Sequence, residues 1–274
     1  MTATILSATG TALVTGASTG IGAVYADRLA RRGYDLILVA RDKGRLAALA
    51  HRLRAETGRA VEVLVADLTD AADLARVEAV LHANPAITLL ANNAGVAAVT
   101  PLLDSDVDAM DRMIGVNVRA LTRLTYAAVP GFVARGAGTL INIASVVAVA
   151  PEMLNGVYGA TKAFVLAFTQ SLHAELADKG VRVQAVLPGA TATEIWDRAG
   201  RPLHQLPAAI VMSADDMVDA ALAGLDQGEI VTLPALRDNA EWERFEAARR
   251  AMFDHLSNAV PAPRYSVHAP STAA

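Results

Sequence analysis

Three residues of the stretch SVVAVAPEMLNGVYGATK (145–162) carry groups able to move a proton: the hydroxyl of Ser145, the phenol of Tyr158 and the amine of Lys162. Tyr158 and Lys162 are four apart, so a helix opening over 156–163 stacks them on one face, one turn from each other. A phenol with an ordinary pKa of about 10 is a poor acid–base catalyst near neutrality. A neighbouring ammonium favours the phenolate and is expected to lower that value. A phenol so tuned can exchange a proton with a carbonyl or alcohol oxygen, and Ser145 can hold the same oxygen from another side. Tyr-x-x-x-Lys by itself more often marks two exposed helical residues, so its meaning depends on the elements around it.

The chain opens with a β-rich run at 11–15 (TALVT), a turn (GASTGIG) and a helical pattern over 23–32. Strand, glycine turn and helix form the entry to a dinucleotide fold. Gly16, Gly20 and Gly22 let the backbone turn tightly and approach a diphosphate. The helix start that follows offers free N–H groups to it. The second strand, 35–40 (DLILVA), is nearly continuous apolar, as a strand covered on both faces should be. After it come Arg41, Asp42 and Arg45. An arginine at this place suits the 2′-phosphate of NADP(H) and an acid suits the ribose hydroxyls of NAD(H). Arg41 favours NADP(H), with Arg45 as added charge; Asp42 keeps NAD(H) in view.

Further strands are expected at 61–66, 87–91, 139–145, 181–187 and 230–233, with helices at 46–56, 70–82, 104–135 and 158–178 and one opening at Ser213. Asp67 follows the third strand, where such sheets bind ligands, but it could equally cap the next helix. Asn92-Asn93-Ala94-Gly95 follows the fourth strand, a turn that could leave a backbone edge beside a flat ligand. Asn117 falls inside the long helical stretch, where its amide competes with the backbone, so it marks a candidate kink holding a water. Ser145 falls at the end of the fifth strand, and Pro188-Gly189 follows the sixth. Residues 190–212, interrupted by Gly200, Pro202 and Pro207, read as a lid over the site. Trp242, Phe245, Met252, Phe253 and Leu256 recur at roughly helical spacing and are expected to pack on the chain's own core or a second subunit. The tail from 259 to 274 is expected to be extended or disordered. The whole reads as one catalytic domain, 1–274, with a C-terminal helix and tail from 236.

Composition sets bounds. At 274 residues, 53% of them hydrophobic, the chain can fill the core of one α/β domain. A net charge of −4 argues against a nucleic-acid binder that relies on a basic surface. With no cysteine, disulfides and thiolate metal sites are excluded, and no metal-ligand pattern is evident. No apolar run reaches the length of a membrane span and the N-terminus does not read as a signal peptide, so a cytoplasmic protein is expected.

Taken together, Thr15 to Gly22, Asp67, Asn92 to Gly95, Asn117, Ser145, Tyr158 with Lys162, and Pro188-Gly189 with Thr193 occur in the order and near the spacing of a known family. The chain resembles the short-chain dehydrogenase/reductases over about 11–193. The resemblance implies a single-domain, doubly wound, Rossmann-type parallel sheet of about seven strands with helices on both faces. It implies a hydride exchange between NADP(H) and a ketone or secondary alcohol, with Tyr158 as general acid or base. Lys162 would bind the nicotinamide ribose and lower the tyrosine pKa, Ser145 would hold the substrate oxygen and Asn117 a relay water. Gly16, Ser18, Thr19 and Ile21 would line the diphosphate and adenosine side. Asp67 and Leu68 would meet adenine, and Asn93, Ala94 and Gly95 would flank the adenosine and nicotinamide end. Pro188, Gly189, Thr191 and Thr193 would hold the carboxamide. A homodimer or homotetramer is the family default. The alternative is a protein that binds NADP(H) as a redox sensor without turnover. The stretches 146–156 and 190–212, with Val146, Val147, Val149, Met153, Leu154, Ile195 and Trp196, point to an apolar substrate, although Arg198 and Arg201 in the second could seat a carboxylate or phosphate and a 3-oxoacyl thioester, a steroid and a sugar ketone all stay open.

Overall fold

The computed structural model describes residues 9–265. The chain divides into two compact units, Met1–Ala235 and Leu236–Ala274. In the first, seven strands form one sheet in the order β3-β2-β1-β4-β5-β6-β7. They are β1 Thr11–Thr15, β2 Asp35–Ala40, β3 Val61–Val65, β4 Ile87–Asn92, β5 Gly138–Ile143, β6 Val181–Val186 and β7 Val231–Thr232, and every pairing is parallel. The order reverses between β1 and β4, so their carboxyl ends diverge into a crevice, the place where sheets of this topology receive ligands.

Alternation along the strands divides the core. Ala12, Val14, Leu36 and Leu38 face one layer with Tyr25, Leu29, Leu46, Leu53 and Leu222. These come from helices α1 Gly20–Arg31, α2 Lys43–Thr57 and a later helix at Ala214–Asp226. Leu13, Ile37 and Val39 face the other layer with Leu74, Val77, Leu124, Phe132 and Leu172. Because side chains point alternately up and down a strand, a sheet covered on both faces needs apolar residues at every position. In β2, Leu36 to Ala40 supply them.

Helix starts follow their capping residues. Asp42 accepts from Arg45 N at 3.0 Å and opens α2; Asp70 accepts from Ala72 N and Asp73 N and opens α3 Ala71–Ala83. Asp67 is therefore not a cap, and its carboxylate instead accepts from the Thr69 N–H and hydroxyl. The stretch expected as one helix at 104–135 is three pieces: α4 Val107–Ile114, a π-helical turn at Gly115–Ala120, and α5 Leu121–Arg135. The π turn lies where Asn117 is anchored to the loop after β4, and such inserted turns often sit at functional sites. Asn155 caps α6 Gly156–Leu176, the helix that carries Tyr158 and Lys162. Next in order are α7 Ile195–Arg198, the already mentioned Ala214–Asp226 as α8, and α9 Asn239–Ala251. Ser213 caps α8 as its sequence suggests.

In the second unit, α9 is followed by short 3-10 turns at Phe253–His255 and Pro263–Tyr265. Trp242 stacks on Phe245 at 5.3 Å, and Phe245, Met252, Phe253 and Leu256 are exposed in the single chain. Of the tail expected to be extended, residues 266–274 lie outside the described residues.

Candidate active site

The glycines of the first turn answer to the protein's own crowding. Gly16 has φ +66°, and a Cβ there would lie 2.8 Å from the Asn93 side-chain nitrogen and 2.9 Å from Ala94 Cα. A Cβ on Gly22 would lie 2.3 Å from the Gly16 carbonyl oxygen. The turn after β1 is thus pressed against the turn after β4, and hydrogen bonds fasten the two. Asn93 N and Ala94 N donate to Thr15 Oγ1, each at 3.0 Å, and Asn93 Nδ2 donates to the Thr15 carbonyl at 2.9 Å. Thr19, the residue before α1, makes no side-chain cap, so the first-turn N–H groups of this 12-residue helix have no side-chain acceptor there. A turn with glycine at 16, 20 and 22 and uncapped helix N–H groups suit a diphosphate.

Ser145 lies two residues past β5 and not within it. Its hydroxyl accepts weakly from Val147 N and lies 3.4 Å from the Pro188 carbonyl, which ties the ends of β5 and β6 together. Tyr158 shares a hydrogen bond with Ser145. Lys162 is fully enclosed, and its Nζ donates to the Ile143 carbonyl at 2.9 Å while lying 5.9 Å from the Tyr158 ring centre. Burial pushes the ammonium down to about 8. Burial also raises the Tyr158 phenol, against a smaller opposing effect of the Ser145 bond. This corrects the expectation of a lowered phenol. The spacing does bring the amine beside the ring, but burial of both groups away from water sets the direction of both shifts. Tyr158 is therefore protonated at neutral pH, the form a general acid needs.

Asn117 is buried behind this group. Its Oδ1 accepts from Val96 N at 2.9 Å, and its Nδ2 donates to the Val96 carbonyl at 2.9 Å and to Thr161 Oγ1 at 3.0 Å. Thr161 Oγ1 in turn donates to the Tyr158 carbonyl at 2.8 Å. The amide thus locks the π turn, the loop after β4 and α6 together. Gly95 fits between, since a Cβ there would lie 3.2 Å from Asn117 Oδ1 and 3.5 Å from Lys162 Nζ.

One cleft of about 750 Å³ gathers most of the residues singled out from the sequence. Gly16, Ser18, Thr19, Gly20, Ile21, Arg41, Asp67, Leu68, Asn93, Ala94 and Gly95 line one part of it. Ser145, Tyr158, Lys162, Pro188, Gly189, Thr191 and Thr193 line the rest. Gly22 is buried beneath the turn and Asn117 against α6, so neither lines the cleft. Arg41 stands exposed at the mouth, 3.7 Å from the Asp67 carboxylate. Asp42, which kept NAD(H) in view, is occupied as the α2 cap. The family model described as short chain dehydrogenase matches residues 10–203.

The chain belongs to the short-chain dehydrogenase family. This short-chain dehydrogenase is similar to one from Sphingobium yanoikuyae solved in complex with NADPH. They share 52% identity and a TM-score of 0.91, covering 94% of this chain and 100% of that one. It is also similar to a bulky-bulky ketone specific alcohol dehydrogenase from Comamonas testosteroni, at 44% identity and TM-score 0.87, covering 94% and 99% of the two chains. The very-long-chain 3-oxoacyl-CoA reductase of Anas platyrhynchos is 36% identical over 201 residues, 72% of this chain and 64% of that protein. The match thus spans under two thirds of that relative's length.

Much of the rest of the cleft wall is apolar: Val146, Val147, Met153 and Leu154 on one side, Ile195, Trp196, Leu206 and Ile210 from the stretch after β6, while Asp42, Arg45, Glu194, Arg198 and Arg201 add charge. Val149, expected there, does not line it. That stretch holds together through Trp196 Nε1, which donates to the Thr191 carbonyl at 2.9 Å, and a bridge between Thr191 and Met212. Two residues escape the sequence reading. Thr161 sits inside the Tyr-x-x-x-Lys spacing, and only its position one residue before Lys162 hints at its link to Asn117. Glu194 has no local signal, because its partner Arg45 is 149 residues away.

Proposed function

We propose that this short-chain dehydrogenase is an NADP(H)-dependent oxidoreductase acting between a ketone and its secondary alcohol. The observation that carries the reading is the convergence of Ser145, Tyr158 and Lys162 at one end of a cleft whose other end is a glycine turn with uncapped helix N–H groups. When bound, the nicotinamide supplies or accepts the hydride at the substrate carbon. Gly16, Ser18, Thr19, Gly20 and Ile21 would hold the diphosphate side, Asp67 and Leu68 the adenine, Asn93 to Gly95 the edge between, and Pro188, Gly189, Thr191 and Thr193 the carboxamide. Lys162 would hold the nicotinamide ribose. Arg41 would take the 2′-phosphate, in keeping with the NADPH bound to the Sphingobium relative.

In reduction, the Ser145 hydroxyl and the Tyr158 phenol hold the carbonyl oxygen. As the carbon gains its hydride, Tyr158 gives its proton to the oxygen, and solvent restores the phenol. Oxidation runs the same steps backward. Asn117 fixes the helix that aims the phenol. The two apolar banks of the cleft favour a ketone with a large apolar group on each side of the carbonyl, and the Comamonas relative's description agrees with this.

We further assign a homodimer or tetramer paired through α5 and α6, where the exposed Tyr126 and Phe164 each stack on the half-buried Phe168, with Tyr126 68% exposed. The acidic, cysteine-free composition suits a cytoplasmic setting. Among the described residues no helix is long and apolar enough to cross a membrane.

The test is NADPH oxidation across diaryl, aryl alkyl and aliphatic ketones, a sugar ketone and a 3-oxoacyl thioester. Turnover strongest on the bulky apolar ketones supports the reading. Tight NADPH binding without turnover of any carbonyl overturns it in favour of a redox sensor.

A further inference from the structure

Two cationic side chains stand at the mouth of the cleft near the β2–α2 turn, and they are held differently. Arg41 has one loose partner, Asp67 at 3.7 Å, and is 68% exposed. Arg45, in the first turn of α2, is committed. Its Nη1 donates to both carboxylate oxygens of Glu194 at 2.9 Å, and its Nε lies 3.4 Å from Asp42. Glu194 belongs to the opposite bank of the cleft. It follows Thr193, whose Cγ2 would lie 3.0 Å from a Cβ on Gly20 in the diphosphate turn. The Arg45–Glu194 pair therefore crosses the rim of the cleft.

The charges lining this part of the cleft are mixed: Arg41, Arg45, Arg198 and Arg201 against Asp42, Asp67 and Glu194. Arg45 can engage a phosphate only by giving up a carboxylate. Asp42 is fixed as the cap of α2. Glu194 has a second partner, with Arg198 Nη2 donating to it at 2.5 Å from the next turn of α7. If Arg45 leaves, Glu194 stays paired. Carboxylate and phosphate are the two groups a planar guanidinium matches best, so one can replace the other on Arg45.

We propose that Glu194 is a positioning residue that sets the preference between NADP(H) and NAD(H) by competing with the 2′-phosphate for Arg45. The inference rests on the cofactor reading above. NADP(H) exchanges Glu194 for its own phosphate on Arg45, while NAD(H), lacking that phosphate, leaves the pair across the rim intact. Glu194 thus restrains NADP(H) binding and leaves NAD(H) binding unaffected.

The test is the dissociation constant of NADPH and of NADH, read from reduced-nicotinamide fluorescence on the full chain, for wild type, Glu194→Gln, Arg45→Gln and the double variant. Glu194→Gln should tighten NADPH by about two- to fivefold, the scale of one solvent-exposed charge partner, and leave NADH unchanged. In the Arg45→Gln background that gain should vanish. Equal shifts for both cofactors would mean that Glu194 only shapes the flap, and would overturn the inference. So would weaker NADPH binding in Glu194→Gln, or a gain undiminished without Arg45. A wild type that binds NADPH no better than NADH overturns the cofactor reading, and this inference with it. NADPH preference in the wild type with an inert Glu194→Gln overturns the inference alone.

Discussion

Replacing Lys162 with methionine separates the cost of holding that amine from its use. Nζ is fully enclosed and its one hydrogen bond goes to the Ile143 carbonyl. Burial moves the group from an ordinary 10.5 to about 8. At about 1.4 kcal/mol for each pH unit, that gap is a destabilisation of about 3 kcal/mol. The direction with pH follows from proton counts. Below about 8 both folded and unfolded chains hold the proton, and the full cost is present. Between about 8 and 10.5 the unfolded chain keeps a proton that the folded chain has lost, so folding stability rises with pH. Lys162→Met removes the titrating group and should lack that rise. It also strips the Ile143 carbonyl of a donor, a loss of about 1–3 kcal/mol. The variant should therefore equal or exceed the wild type in stability at pH 7 and fall below it near pH 10.5. The gap between the two should move by about 3 kcal/mol. Urea unfolding of both proteins without cofactor, at several pH values across this range, measures it. A gap that stays constant with pH would refute the claim that the amine is held charged at a cost.

Other outcomes follow from the same geometry. Carbonyl reduction needs a protonated Tyr158 beside a charged Lys162, so kcat/KM for reduction should be flat near neutrality and fall as pH rises through about 8, measured with saturating NADPH. Arg41→Ala should raise the NADPH dissociation constant by about tenfold and leave NADH nearly unchanged, because its guanidinium is exposed and loosely held at the cleft mouth. Gly22→Ala places a methyl 2.3 Å from the Gly16 carbonyl, so it should lower the melting temperature and weaken both cofactors alike.

The strands nearest the crevice were legible because buried parallel strands leave a plain mark. TALVT and DLILVA are apolar runs closed by a glycine or a charge, and β1 and β2 fall on the residues so marked. The end of β5 was not, because Ala144 and Ser145 are compatible with a strand while the chain has already left the sheet. The π turn was hidden inside a continuous helical pattern, since the partner that draws Asn117 out, Val96, is 21 residues upstream. Spacing placed Tyr158 and Lys162 on one face but carried no information about how much water reaches them. The phenol therefore shifts opposite to the expected direction. Asp42 read as a rival ligand until its bond to Arg45 N showed it engaged at the helix start.

The central claim is that the buried phenol of Tyr158 passes the proton at the substrate oxygen. Steady-state turnover of a bulky apolar ketone by Tyr158→Phe, alongside its NADPH dissociation constant, tests it most directly. The account expects kcat to fall by about 10²- to 10⁴-fold with NADPH binding retained. Turnover equal to the wild type would contradict it.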